Sequence, residues 1–223
     1  MNVLRELKPA DCMTLLNALL GFSALLMASR AEAPYFMQSA VVLILLAAVS
    51  DGIDGFLARR WGSSLIGADL DSLADLISFG AAPAFLAITA FRGQPFILEA
   101  GFLYLLAGLL RLARFNATPK NDQSFEGLPV PAAGILLAAS VLYGKSIPTI
   151  FLMLVLALLM VSSAPYPKVR DIRALCILGL MILAAASLIW QQEDVAYAAL
   201  LLIAIIMIYM ISPVVFSRLR KEK

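Results

Sequence analysis

Histidine is absent from this chain altogether. That removes imidazole acid–base catalysis and histidine-ligated metal sites together. Cysteine is nearly as scarce: Cys12 and Cys176 are the only two, with no metal-ligand spacing between them. They read as free, small packing residues and say little about redox compartment. Charge is thin as well, at 14% of residues, against about a quarter in an ordinary globular domain. Such a sequence leaves no room for a soluble domain of useful size. Residues 1–10 are too short and too polar for a cleaved signal peptide, and no nucleic-acid partner is expected.

What the chain has instead is hydrocarbon. Hydrophobic residues make up 62% of its 223 positions, and mean hydropathy is +0.92. Apolar runs near ~20 residues, the length a helix needs to cross a bilayer, recur along its length. The expected fold class is all-α, a polytopic transmembrane helical bundle of about eight spans. They fall at Cys12–Ala31, Tyr35–Leu57, Leu70–Phe91, Phe96–Phe115, Val130–Tyr143, Ile147–Ser162, Ile172–Trp190 and Val195–Phe216. The fifth and sixth are short, so the fair range is six to eight. With eight, only Arg30, Arg92 and Lys145 of the 17 Lys and Arg fall on one side of the membrane. The positive-inside rule then puts both termini on the cytoplasmic side of the cell membrane. A single integral domain is expected over 1–223. Residues 1–10 suit a juxtamembrane amphipathic helix or a frayed start to the first span, 11–133 a catalytic core, and 134–223 additional helices.

One short stretch breaks the hydrocarbon. Ser50–Gly80, "SDGIDGFLARRWGSSLIGADLDSLADLISFG", holds five Asp and two Arg. Asp51 and Asp54 are spaced i, i+3, with Gly55 and Ala58 following on nearly the same face. Gly67, Asp71 and Asp75 are spaced i, i+4, i+8. These spacings put each set on one helical face, and the short turn between them predicts antiparallel neighbours whose four Asp converge. Ionised groups in membrane spans are expensive and mark function. An all-oxygen set suits hard divalent cations, Mg²⁺, Mn²⁺ or Ca²⁺, and argues against Zn²⁺. Four carboxylates suffice for two such ions, an arrangement used in phosphoryl chemistry. Asp69 points away and reads as a solvated or capping residue.

These residues, Asp51-Gly-Ile-Asp54-Gly55-Phe-Leu-Ala58-Arg59 and then Gly67-x-x-x-Asp71-x-x-x-Asp75, resemble the signature of the CDP-alcohol phosphotransferase family, matching at all eight positions. The resemblance implies a helical membrane enzyme in which an alcohol attacks the β-phosphoryl group of a CDP-linked lipid and CMP leaves. It implies that Asp51, Asp54, Asp71 and Asp75 bind two divalent cations (Mg²⁺ or Mn²⁺), with Asp75 and Asp71 catalytic and Asp75 the candidate base or orienting group for the hydroxyl. Gly55, Ala58, Arg59 and Gly67 would line the CDP and phosphate pocket. Thr14, Asn17 and Gly21 resemble the family's T-x-x-N-x-x-x-G element, so Thr14 and Asn17 join that set; interhelical hydrogen bonding is the alternative for both. A homodimer is implied in the same way.

"DSLADLISFGAAPA" (71–84), "LRLARFN" (110–116) and "FEGLPVPAA" (125–133) resemble the phosphatidylserine synthase branch. That makes CDP-diacylglycerol or CDP-archaeol and L-serine the expected substrates, CMP a product, and membrane lipids the surroundings. Arg111 and Arg114, at i and i+3, face one way on this reading, and one clamps the serine carboxylate, with Asn116 and Ser78 nearby; the alternative is that both reach to headgroups. Glycerol-3-phosphate or inositol phosphate would want more cationic charge than is available outside Lys120 and the Lys168–Arg173 loop, which favours serine without removing them. The Gly127–Pro131 stretch either closes over the site or simply starts a helix. A cation- or proton-coupled transporter is the alternative of another class. Against it, the Asp lie near one membrane face and the halves show no inverted repeat.

Overall fold

The computed structural model describes residues 6–30, 33–117, 124–167, 172–191 and 195–221. Among them are eight helices: α1 (Pro9–Ala28), α2 (Pro34–Trp61), α3 (Gly67–Ala90), α4 (Ile97–Ala117), α5 (Val130–Leu142), α6 (Ser146–Val161), α7 (Ile172–Trp190) and α8 (Val195–Lys221). The all-helical class expected from the sequence is what the chain adopts. Three helices, α1, α2 and α3, are long and apolar enough to cross a membrane by length and composition. Residues 1–5 of the expected surface helix, the 118–123 part of the longest polar loop, and Glu222 and Lys223 lie outside the described residues.

Helix α1 is inside-out relative to a helix of a soluble bundle. On α1 the buried face is Ala10, Thr14, Asn17, Gly21, Ala24 and Ala28, all small or polar, while Leu15, Leu16, Leu19, Phe22 and Leu26 face outward. With lipid outside, large apolar side chains gain nothing by turning inward, and small residues let backbones approach closely. The two cysteines follow the outward pattern: both are free, as expected, yet exposed rather than packed.

Close packing gathers at a π turn, Leu76–Ala81, inside α3. Pro83 is its cause. A proline ring clashes with the carbonyl four residues back and brings no N–H to it; widening the turn, so that Ala82 N–H reaches Ile77 O, makes room. The Tyr104 hydroxyl of α4 donates to Phe79 O at 2.8 Å. Two glycines let neighbours reach this turn. A Cβ on Gly21 of α1 would stand 2.6 Å from Ser78 Cα, and one on Gly134 of α5 would stand 2.8 Å from Phe79 Cα. The π turn is thereby pinned from three sides, directly after the last Asp of the acidic stretch.

Helix α5 is buried on nearly every side and packs against α2, α3, α4, α6 and α8. Its entry is fixed by a feature the sequence did not announce. Ser124–Glu126 (β1) pairs antiparallel with Pro165–Pro167 (β2), with Phe125 opposite Tyr166. Gly127 then turns the chain at φ +76°, where its N–H donates to Ala164 O at 2.9 Å and Leu128 N–H donates to Leu159 O at 3.1 Å.

Gly134→Ala should lower thermal stability in detergent by about 1–3 kcal/mol, because the added methyl meets backbone that cannot give way. Gly179→Ala, whose Cβ would meet nothing within 4 Å, should be neutral or slightly stabilising. A thermal melt of both variants checks the pair.

Candidate active site

Asp51 and Asp54 sit near the C-terminal end of α2, and Asp71 and Asp75 on the first turns of α3. One carboxylate oxygen from each of Asp51, Asp54 and Asp71 lies within 4.8 Å of the others. Asp54 is 5% exposed, and its Oδ2 has no hydrogen-bond partner among the described residues. The Thr14 hydroxyl stands beside it as a hydrogen-bond partner and also lies 3.2 Å from Ala10 O. Three acidic side chains drawn together, one of them with a buried carboxylate oxygen that has no hydrogen-bond partner among the described residues, suit a hard divalent cation. The residues present fit such a group.

Asp75 lines the same cavity as Asp51 and Asp71, one turn beyond Asp71 and about 6 Å further along the helix. There Asn17 Nδ2 donates to its Oδ1 at 3.3 Å. The carboxylates of Asp51, Asp71 and Asp54 still act on it electrostatically. Asn17 is completely buried, and its own Oδ1 has no partner among the described residues.

That cavity, of about 530 Å³, has Asp51, Asp71, Asp75 and Arg111 among its lining residues. Pro129, Pro131 and Ile135 of the α5 entry form another part, and Leu178, Ile182, Leu202 and Ile206 of α7 and α8 form an aliphatic wall. Thr14, Gly55, Ala58 and Arg59 do not line this cavity. Gly55 and Ala58 are half-buried and Arg59 is exposed; a Cβ on Gly55 would meet only the Arg59 guanidinium, at 3.4 Å.

The two arginines expected to face one way part company. Arg111 is buried, lines the cavity, and stacks over the Phe115 ring at 5.5 Å. Arg114 turns to the end of α6. Its guanidinium donates to the carbonyls of Val161 (3.0 Å), Met160 (3.2 Å) and Ser162 (3.0 Å), and to Glu126 O of β1 (2.8 Å). The last carbonyls of a helix have no intrahelical donors and carry partial negative charge, which draws the cation there. Asn116 is exposed and ties α4 to α3: its Nδ2 donates to Asp69 Oδ1 at 3.2 Å, and its Oδ1 accepts from Ser72 at 3.1 Å. Asp69 is thus exposed, as expected, but not merely solvated. Ser78 is buried in the α1–α3 contact, donating to Asn17 O at 2.9 Å.

Gly67 has a neighbour that sequence reading passed over. Asp11 is buried and accepts from Lys8 N–H (2.7 Å) and Ser64 Oγ (3.1 Å), while Lys8 Nζ donates to Ser63 O at 2.8 Å. A Cβ on Gly67 would come within 3.1 Å of Asp11 Oδ1. These contacts fasten the start of α1 to the α2–α3 turn that sets the spacing of the acidic cluster. The signal was present: Lys8-Pro9-x-Asp11 places a carboxylate in the first turn of a helix, where it caps. Ser50, donating to Met13 O at 2.8 Å, secures α2 to α1 just before Asp51.

A family model described as CDP-alcohol phosphatidyltransferase matches residues 7–190. The chain is 36% identical over 170 residues to an archaetidylserine synthase of Methanothermobacter thermautotrophicus, covering 74% of this chain and 71% of that one. It is 37% identical over 161 residues to a CDP-diacylglycerol–serine O-phosphatidyltransferase of Methanocaldococcus jannaschii, covering 71% and 73%. A protein of that name from Saccharomyces cerevisiae is 41% identical over 143 residues, covering 58% and 52%.

Mg²⁺ or Mn²⁺ should raise the melting temperature of the purified protein, EDTA should reverse the rise, and Asp54→Asn should abolish it. A response that survives in Asp54→Asn would place the cation elsewhere.

Proposed function

Because the chain belongs to the CDP-alcohol phosphatidyltransferase family, we propose that this transferase moves the phosphatidyl or archaetidyl group of a CDP-linked lipid onto the hydroxyl of L-serine. The serine Oγ–phosphorus bond forms at the β-phosphoryl group, the bond to the CMP oxygen breaks, and CMP leaves. The observation that carries this reading is the cavity itself. It joins three acidic side chains and one arginine at its polar end to an aliphatic wall, a shape that suits a lipid bearing a phosphate head and a small zwitterion together.

Asp51, Asp54, Asp71 and Asp75 are the candidate holders of divalent cations, two in number and Mg²⁺ or Mn²⁺ in kind. When bound, such cations neutralise charge developing on the phosphoryl oxygens. Asp75 takes or orients the serine hydroxyl proton, and the Asn17 amide keeps that carboxylate turned to its task. Thr14, Gly55, Ala58, Gly67 and Arg59, which do not line that cavity, serve the CDP moiety; the guanidinium of Arg59 suits a diphosphate. Arg111 takes the serine carboxylate. It is the one cation lining the cavity among the described residues, enough for a carboxylate and thin for the phosphate of glycerol-3-phosphate or inositol phosphate.

On this reading the chemistry rests on residues 11–133, while 134–223 adds helices, two of which wall the cavity. The chain crosses the cell membrane about eight times, with both termini and the site on the cytoplasmic side. The 14 Lys and Arg left on that side by the eight-span arrangement, out of 17, support the orientation.

Purified protein supplied with a CDP-lipid and Mg²⁺ or Mn²⁺ should release CMP only when L-serine is added. Asp75→Asn should lower that rate by roughly 10²–10⁴-fold, and Asp71→Asn should abolish it. Serine-independent CMP release, or none at all, would overturn the reading.

A further inference from the structure

The aliphatic wall of the cavity has one polar interruption. Of its lining residues from α7 and α8, namely Leu178, Ile182, Leu202, Ile205, Ile206 and Tyr209, only the last carries a hydrogen-bonding group. Tyr209 lies beyond the residues 7–190 that the family model covers. It lines the same cavity as Arg111 and is its electrostatic neighbour, and Arg111 in turn interacts with Asp75 and Asp71.

The ring of Tyr209 is held in place. It packs against Tyr166 with centroids 5.7 Å apart and planes tilted by 36°. Tyr166 is 1% exposed and lies at the centre of β2. That strand pairs with β1, and Arg114 grips the Glu126 carbonyl of β1 at 2.8 Å. The phenol thus stands braced in an otherwise aliphatic wall, beside a buried guanidinium, where its hydroxyl adds a polar group that can donate a hydrogen bond.

We infer that Tyr209 is a specificity-determining residue for the acceptor: its hydroxyl donates to the same carboxylate that Arg111 holds. This rests on the proposal that the acceptor is serine. An arginine alone accepts any anion of suitable size. A second donor fixed beside it selects a planar carboxylate at one depth and orientation, and so presents the serine hydroxyl toward Asp75. Arg114 then acts at a distance as a positioning residue, through β1, β2 and Tyr166.

The test is Tyr209→Phe, which removes one oxygen and keeps the ring. KM for L-serine should rise about tenfold, the usual scale for losing one hydrogen bond to a charged group, while KM for the CDP-lipid stays within about twofold. Discrimination between L-serine and L-serinamide, which lacks the carboxylate charge, should shrink by a similar factor. An unchanged KM for serine, or equal losses toward serine and the CDP-lipid, would overturn the inference and leave the proposed function standing. If the unaltered protein releases no CMP on addition of serine, the functional reading fails and this inference falls with it. Should Tyr209→Phe melt early, Tyr166→Phe, which leaves the Tyr209 hydroxyl in place, separates bracing from recognition: the inference expects its serine KM to stay near that of the unaltered protein, and a tenfold rise there would overturn it.

Discussion

Like charges held together away from water define this molecule. Three carboxylates with oxygens inside 4.8 Å repel one another strongly where the effective dielectric is low. Left to itself, the α2–α3 turn would splay and separate them. The structure answers with fastenings placed around the cluster. Asp11 and Lys8 hold the turn through Ser64 and Ser63, Ser50 ties α2 to α1, and Asn17 steadies Asp75. Below, the π turn of α3 is fixed by Tyr104 and by the close approach of Gly21 and Gly134. The small residues on the buried face of α1 serve the same end, because close backbones leave little freedom for the helices that carry the charges.

Sequence reading went furthest where chemistry is local. Spacings of three and four along one helix fix which side chains share a face, so Asp51, Asp54 and Asp71 were legible as a group before any coordinates. The all-helical class followed from composition, because hydrocarbon without charge has few other stable forms. Asp75 belongs to the same face by the same spacing, and it lines the cavity beside Asp51 and Asp71.

What stayed hidden depended on residues distant in sequence. Arg111 and Arg114 look equivalent at i and i+3, yet one faces a cavity and the other the frayed carbonyls of α6, some 47 positions away. No periodicity in α4 encodes where α6 ends. Asn116 and Ser78 likewise have partners fixed by the packing of whole helices rather than by their neighbours in the chain. The contributions of α7 and α8 were invisible for a different reason. A cavity wall of Leu and Ile reads the same as a lipid-facing surface until something is shown to be missing between it and its neighbour.

Helix α5 has 13 residues. At about 1.5 Å per residue it is about 20 Å long, well short of the ~30 Å hydrocarbon thickness of a bilayer. A lipid-facing helix this short would force the surrounding membrane to thin. Enclosed by five neighbours, α5 has almost no lipid to disturb. At its proline-bearing end, Pro129 and Pro131 line the cavity. A helix spared contact with lipid is free to be as short as its neighbours require, and its end can border a cavity instead of a membrane surface.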